Sequence, residues 1–192
     1  VFVGTGVGGG IIIDGGLYKG SCGSAGEIGH ITLKPGGRVC TCGGKGCLEA
    51  YTGGWAIALR VQEAVTQDPN GGKFLLGLVD SDIRKLTAKE VSKAAHLGDS
   101  FALDLVEVIG KDLGIGIVSV VNMFNPETIV LGGGVVDGLP WLIDFAAHEI
   151  REGALASSVE SLKIASAELA NDAPVIGAGL LALEQERTKH LW

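Results

Sequence analysis

With 192 residues, 46% of them apolar and 19% charged, the chain can bury one sizeable core or two small ones and is excluded from the disordered class. A formal net charge of −7 argues against a nucleic-acid surface over this chain, because phosphate binding needs clustered Lys and Arg. The most apolar run, Leu113 to Val121, is too short to span a bilayer, and the first residues lack the basic segment of a secretory signal, so a cytoplasmic protein without a membrane partner is expected.

The 32 glycines gather in GTGVGGG, DGG, GGKG and LGGG clusters, which suit tight turns and loops where backbone approaches a ligand. The chain opens at Val1 inside what reads as a strand, and its one methionine is Met123, so a processed chain or a fragment is expected. Val1 to Val3 and Ile11 to Ile13 flank GTGVGGG, and Asp14-Gly15-Gly16 adds turn chemistry before Leu17; the segment reads as a β-hairpin. Ile31 to Leu33 is a short strand candidate ended by Lys34-Pro35-Gly36-Gly37. From Leu48 the period changes, and Ala56, Leu59, Val61 and Ala64 predict a helix to about Thr66, stopped by the run Asp68 to Gly72.

Thr87 and Glu90 form a capping-box pattern that opens a helix to about His96. Asp99 caps a longer helix, whose buried face is marked by Phe101, Leu105, Val108, Ile109, Leu113, Ile117, Val120 and Val121. Its second half is apolar nearly all round, which predicts a core helix, and Asn125-Pro126 ends it. Thr128 to Leu131 is a short buried strand entering Gly132-Gly133-Gly134. A helix over Trp141 to Glu152, a strand over Leu162 to Ala165 and a last helix over Ala173 to about Arg187 follow. This back half predicts an α/β layer with at least two parallel strands, behind an antiparallel front half.

Three of the four cysteines and one histidine crowd the stretch from Gly26 to Tyr51. Two disulfides are the bland reading, but the chain has no secretory marks, and Cys40 and Cys42 are too close to pair readily. Unliganded thiols are a second reading. A metal site fits better: His30, Cys40, Cys42 and Cys47 make a Cys3His set, a common structural zinc composition. Cys22 is left over as a small buried residue. Glu27 precedes His30 by three residues and Glu49 follows Cys47 by two, so a metal holding His30 and Cys47 would keep both carboxylates nearby. Carboxylates suit sugar hydroxyls, since each can accept hydrogen bonds from adjacent OH groups; the alternative is two solvated loop acids.

Gly26-Glu27-Ile28-Gly29-His30, followed by Cys40-Thr41-Cys42-Gly43-Gly44-Lys45-Gly46-Cys47-Leu48-Glu49-Ala50, resembles the signature of the ROK family, which groups bacterial sugar kinases with sugar-responsive repressors. GTGVGGG from Gly4 resembles that family's second phosphate loop, and Ile129 to Gly134 its adenosine-binding segment. Asn171-Asp172-Ala173 with Ile176-Gly177-Ala178 resembles the start of its closing helix.

The resemblance implies an actin-like ATPase fold of the hexokinase and actin superfamily, here a C-terminal lobe over 1–192 with a mixed sheet, flanking helices and a zinc and sugar loop at 26–51. It implies a structural Zn²⁺ on His30, Cys40, Cys42 and Cys47, with the second ring nitrogen of His30 offered to the sugar. Glu27, His30 and Glu49 would bind the hexose. Gly4, Thr5 and Gly6 would approach the ATP phosphates through backbone N–H groups and the threonine hydroxyl, and Gly133 and Gly134 would pack on the adenosine. ATP and Mg²⁺ are the implied co-substrates, and a homodimer or homotetramer the implied assembly.

The family's first lobe carries another phosphate loop and an Asn-Asp pair whose aspartate is the catalytic base. Neither precedes the GTG loop here, so no catalytic residue is expected in this chain and the chain alone is expected to be inactive. Asn171-Asp172 reads as a helix cap rather than that pair. Two other functions fit less of the sequence: the effector-binding part of a repressor of the same family, and an unrelated zinc-stabilised binding module.

Overall fold

The structure, a computed structural model, describes residues 1–169 and 172–189. Two small antiparallel ladders open it. Strand β1 (Phe2–Val3) pairs with β2 (Val7–Gly8), and β3 (Ile12–Ile13) pairs with β4 (Gly16–Leu17). The expected single hairpin is therefore two in succession. The second turns through Asp14 and Gly15, both at positive φ (50° and 78°), the mirror-image turn that matches strand twist.

Ile31 to Leu33 does not form the expected strand. Thr32 makes only an isolated bridge to Cys47, because the Leu33 and Lys34 N–H groups both turn onto the Gly46 carbonyl, at 2.7 and 3.1 Å.

The helical part begins with α1 (Glu49–Thr52), α2 (Gly54–Gln67) and α3 (Lys73–Leu78). Next comes α4 (Ala88–His96), whose Thr87–Glu90 capping box is complete. The long helix α5 (Ser100–Phe124) starts where the Asp99 carboxylate accepts from the Ala102 N–H and stops at Asn125 in the left-handed conformation. Strand β5 (Thr128–Leu131) follows, then α6 (Gly134–Gly138), α7 (Trp141–Gly153), α8 (Ala156–Val159), β6 (Lys163–Ser166) and α9 (Ala173–Lys189).

β5 and β6 pair in parallel from Thr128–Lys163 to Leu131–Ser166, as the α/β pattern requires. The first hairpin joins this ladder. The Val3 N–H donates to Gly132 O (2.7 Å), the Gly132 N–H donates to Val1 O (3.0 Å), and Phe2 bridges Gly132 in the parallel sense. A mixed sheet results, and it brings the GTG loop and the LGGG loop side by side. Asn171 lies outside the described residues.

The core runs along α5, where Val106, Ile109, Leu113, Ile117 and Val121 are fully buried at helical spacing. α5 and α7 approach closely: a Cβ at Gly110 would stand 2.6 Å from Phe145 Cβ, and one at Gly114 2.6 Å from Ala146 O. The second half of α5 is not buried all round as expected. Ile115, Met123 and Phe124 are exposed there, and so is Val108 of the expected buried face, because α1, α4 and α7 pack on other sides of the helix and leave this strip to solvent. Strand β5 is likewise buried on one face only, with Val130 exposed. On α9, Val175, Ile176, Leu180 and Leu183 are exposed.

Candidate metal and ligand site

The loop between the second hairpin and α1 folds on itself. Cys40 N–H donates to Gly44 O, Gly43 N–H to Cys40 O and Gly46 N–H to Arg38 O, so residues 38–46 form a small knot with Cys40 and Cys42 on one arm and Cys47 just past the other. His30 reaches it from a single 3-10 turn, Ile28–His30.

His30, Cys40, Cys42 and Cys47 converge, with all four donor atoms within 4.8 Å of one another. His30 Nδ1 lies 3.8 Å from Cys40 Sγ, and Cys42 Sγ lies 3.7 Å from Cys47 Sγ. Four ligands about 2.3 Å from one tetrahedral ion have edges of about 3.8 Å, so this cluster has the composition and dimensions of a zinc site. All four cysteines are free, and Cys22 is exposed rather than buried as expected.

Without a metal, burial and the neighbouring thiols push the Cys47 thiol up to about 12, while the Gly44 N–H and Cys40 help draw Cys42 down. A cation is the partner that would hold both as thiolates. With Nδ1 turned to the knot, His30 keeps Nε2 for a second partner.

Glu49, the first residue of α1, is 8% exposed and accepts from three donors. Its Oε2 accepts from the Val7 N–H at 2.9 Å; its Oε1 accepts from the Thr41 hydroxyl at 3.0 Å and the Trp55 indole at 3.3 Å. Burial pushes this carboxyl up, but those three donors and the nearby His30 outweigh it and hold it below its ordinary value. A Cβ on Gly6 would strike Oε2, so the GTG loop rests directly on this carboxylate. Glu27 sits at the exposed start of the 3-10 turn and lines a separate hollow of about 130 Å³ with Ile28, Val120 and Met123. Among the described residues no side-chain hydrogen bond joins it to the knot or to Glu49.

The knot is pinned to the core by a charge that sequence reasoning missed. Asp112, in the middle of α5 and 4% exposed, accepts from Lys34 Nζ at 2.7 Å and from Arg60 at 2.9 Å. The same Arg60 donates to the Tyr51 carbonyl at 2.7 Å, Lys34 Nζ stands 4.7 Å over the Tyr51 ring, and the Tyr51 hydroxyl accepts from the Arg38 N–H. These partners are distant in sequence and carry no local signature.

Next to the site lies a cavity of about 900 Å³, open to solvent and lined by Gly4, Thr5, Trp55, Lys85, Lys89 and Gly134 among others. The GTG loop enters it already committed in part. Gly4 N–H donates to Gly6 O, and the Gly4 and Thr5 carbonyls accept from the Gly54 and Trp55 N–H groups at the start of α2. Among the described residues the Thr5 and Gly6 N–H groups have no protein acceptor, and they are the donors left for an anion. Gly133 takes φ +103°, and a Cβ there would stand 2.5 Å from Val3 O; it packs the LGGG loop against β1 and does not itself line the cavity.

A family model described as the ROK family matches residues 1–185. The chain is 41% identical to a glucokinase of Halalkalibacterium halodurans, over 98% of this chain and 56% of that protein. It is 36% identical to the DNA-binding transcriptional dual regulator NagC of Escherichia coli, over 88% of this chain and 40% of that protein. A crystal structure of a ROK family glucokinase from Streptomyces griseus, in complex with glucose and AMPPNP, superposes with a TM-score of 0.86 at 32% identity, covering 94% of this chain and 58% of that one. The actin-like α/β fold expected from the sequence is thus the fold observed. The chain spans about half the length of the curated relatives it matches.

Proposed function

The chain belongs to the ROK family, and from that premise we propose that it is the C-terminal lobe of an ATP-dependent hexose kinase, with glucose the favoured sugar. The observation that supports this most is the adjacency of two unlike sites. A large cavity flanked by both glycine-rich loops opens beside a buried carboxylate and a metal-binding knot. Phosphoryl transfer is chiefly positioning and charge stabilisation, and it needs a sugar and a nucleotide held at such a border.

In this reading His30, Cys40, Cys42 and Cys47 hold a zinc ion that fixes the loop. His30 Nε2 and Glu49 orient sugar hydroxyls, and Glu27 adds a third contact. The Thr5 and Gly6 N–H groups with the Thr5 hydroxyl bind phosphate oxygens, and Gly134 borders the adenosine while Gly133 holds its loop against β1. When bound with ATP, Mg²⁺ would neutralise charge on the phosphates. The carboxylate that accepts the sugar proton belongs to the rest of the protein. A cytoplasmic homo-oligomer is part of the same proposal.

A specific observation supports a second reading. NagC and a xylose repressor of Bacillus subtilis also match nearly the whole chain, so a sugar-responsive regulator has the same lobe. The test is a coupled assay of the full-length protein with ATP, Mg²⁺ and a panel of glucose, N-acetylglucosamine, N-acetylmannosamine, fructose and allose. Turnover in the usual kinase range, on the order of 1–100 s⁻¹, supports the kinase. Background rates together with sugar-dependent DNA binding support the regulator and sink the kinase. Residues 1–192 alone should stay at background.

A further inference from the structure

Trp55 belongs to none of the motifs above, yet it touches both halves of the site. It lines the 900 Å³ cavity together with Gly4 and Thr5. Its Nε1–H donates to Glu49 Oε1 at 3.3 Å, and its backbone N–H donates to Thr5 O at 3.2 Å. Trp55 is only partly buried, so a residue that borders the cavity also holds the carboxylate through its indole N–H. Glu49's other indole-independent anchors lie elsewhere: Thr41 belongs to the metal knot and Val7 to β2.

We propose that Trp55 is a positioning residue that couples the two ligands: a nucleotide in the cavity orders the indole, the indole fixes Glu49, and the sugar then binds a carboxylate already in place. The inference rests on the reading of the cavity as the nucleotide site and of Glu49 as a sugar contact. Ordering paid by the first ligand is not paid again by the second, so the coupling is positive. It is also reciprocal, the sugar tightening nucleotide binding by the same factor.

The experiment uses the full-length, zinc-loaded protein, a non-hydrolysable ATP analogue and the panel hexose that turns over fastest. Calorimetry gives each ligand's affinity alone and in the presence of the other. The wild type should show at least about fivefold mutual tightening, the lower end of common coupling. Trp55→Phe keeps an aromatic ring at the position and removes the N–H donor, with some loss of ring area. It should bring the coupling below about twofold, whatever it does to the nucleotide affinity measured alone. Thr41→Val removes another donor to the same oxygen without touching the cavity, and should keep the coupling.

Wild-type protein without coupling, or Trp55→Phe protein with full coupling, overturns the proposal. So does loss of coupling in both variants alike, which would mean that any weakening of Glu49 suffices. A mutation-free check is fluorine NMR of protein labelled with 5-fluorotryptophan: the Trp55 resonance should shift with either ligand alone, and a response to one only is a refutation. If neither ligand binds the wild type, the kinase reading itself has failed, an outcome distinct from binding without coupling.

Discussion

The Lys34 ammonium and the Asp112 carboxylate meet at 2.7 Å, although one belongs to the metal loop and the other to the middle of the core helix α5. Asp112 also holds Arg60, so a single buried acid is shared by two cations. The two pairs are unequal. The Lys34 side chain is 50% exposed and that of Arg60 only 10%. Solvent screens the first pair, whereas losing Asp112 would strand a buried guanidinium. Asp112→Ala should cost about 3–5 kcal/mol in urea unfolding, and Lys34→Met less than about 1 kcal/mol. Equal costs would refute this division.

Zinc content is the second prediction. Purified protein should carry about one zinc per chain, and Cys47→Ser should lose it. Because burial and the nearby thiols raise Cys47 to about 12 in the metal-free state, binding at neutral pH must expel its proton. Affinity should therefore fall as pH is lowered, by roughly tenfold per pH unit for each proton released. A pH-independent affinity would mean the thiols are not the ligands.

Glu49 gives an acid-side prediction. Its carboxyl is held below its ordinary value of 4.5 by donors from β2, the knot and α2. A lowered folded-state value stabilises the protein above the unfolded value, and that contribution is lost as pH falls through the folded one. Glu49→Gln should flatten the acid limb of the stability curve and weaken sugar binding. An unchanged acid limb would show that the carboxylate is not ionised in the folded site.

The two glycine loops separate structure from binding. Gly6→Ala pushes a methyl into the Glu49 carboxylate, and should raise the sugar KM as well as disturb the nucleotide. Gly133→Ala combines φ +103° with a clash on Val3 O, and should destabilise by more than about 1 kcal/mol. A Cβ at Gly134 meets nothing within 4 Å, so Gly134→Ala should fold normally. Any change it makes in the ATP KM then reports on the nucleotide itself.

Local chemistry was legible in the sequence. Thr87 and Glu90 announce their helix because both partners of the box lie within one turn, and Asp99 and Asn125 mark the ends of α5 for the same reason. The four side chains of the candidate metal site could be grouped from residue type and spacing alone. What depends on tertiary placement was not legible. The apolar surroundings of Ile115 and Met123 suggested burial, but contact with α1, α4 and α7 decides which sides of α5 are covered. Ile31 to Leu33 has strand composition, yet the Gly46 carbonyl takes its donors. Trp55 and Asp112 escaped notice because the groups that give them meaning come from other elements.

The close approach of α5 and α7 through Gly110 and Gly114 also sets the order in which the molecule opens. Amide hydrogens along that pair should exchange last, at the free energy of global unfolding, because their backbones are shielded by full interior packing. The knot at 38–46 is held by a few backbone bonds and the Lys34 and Tyr51 contacts, and should exchange far sooner. A zinc ion bound there would therefore be able to leave and return through local fluctuation while the helical core stays folded. Metal supply would then govern the ligand site on a timescale uncoupled from the lifetime of the fold.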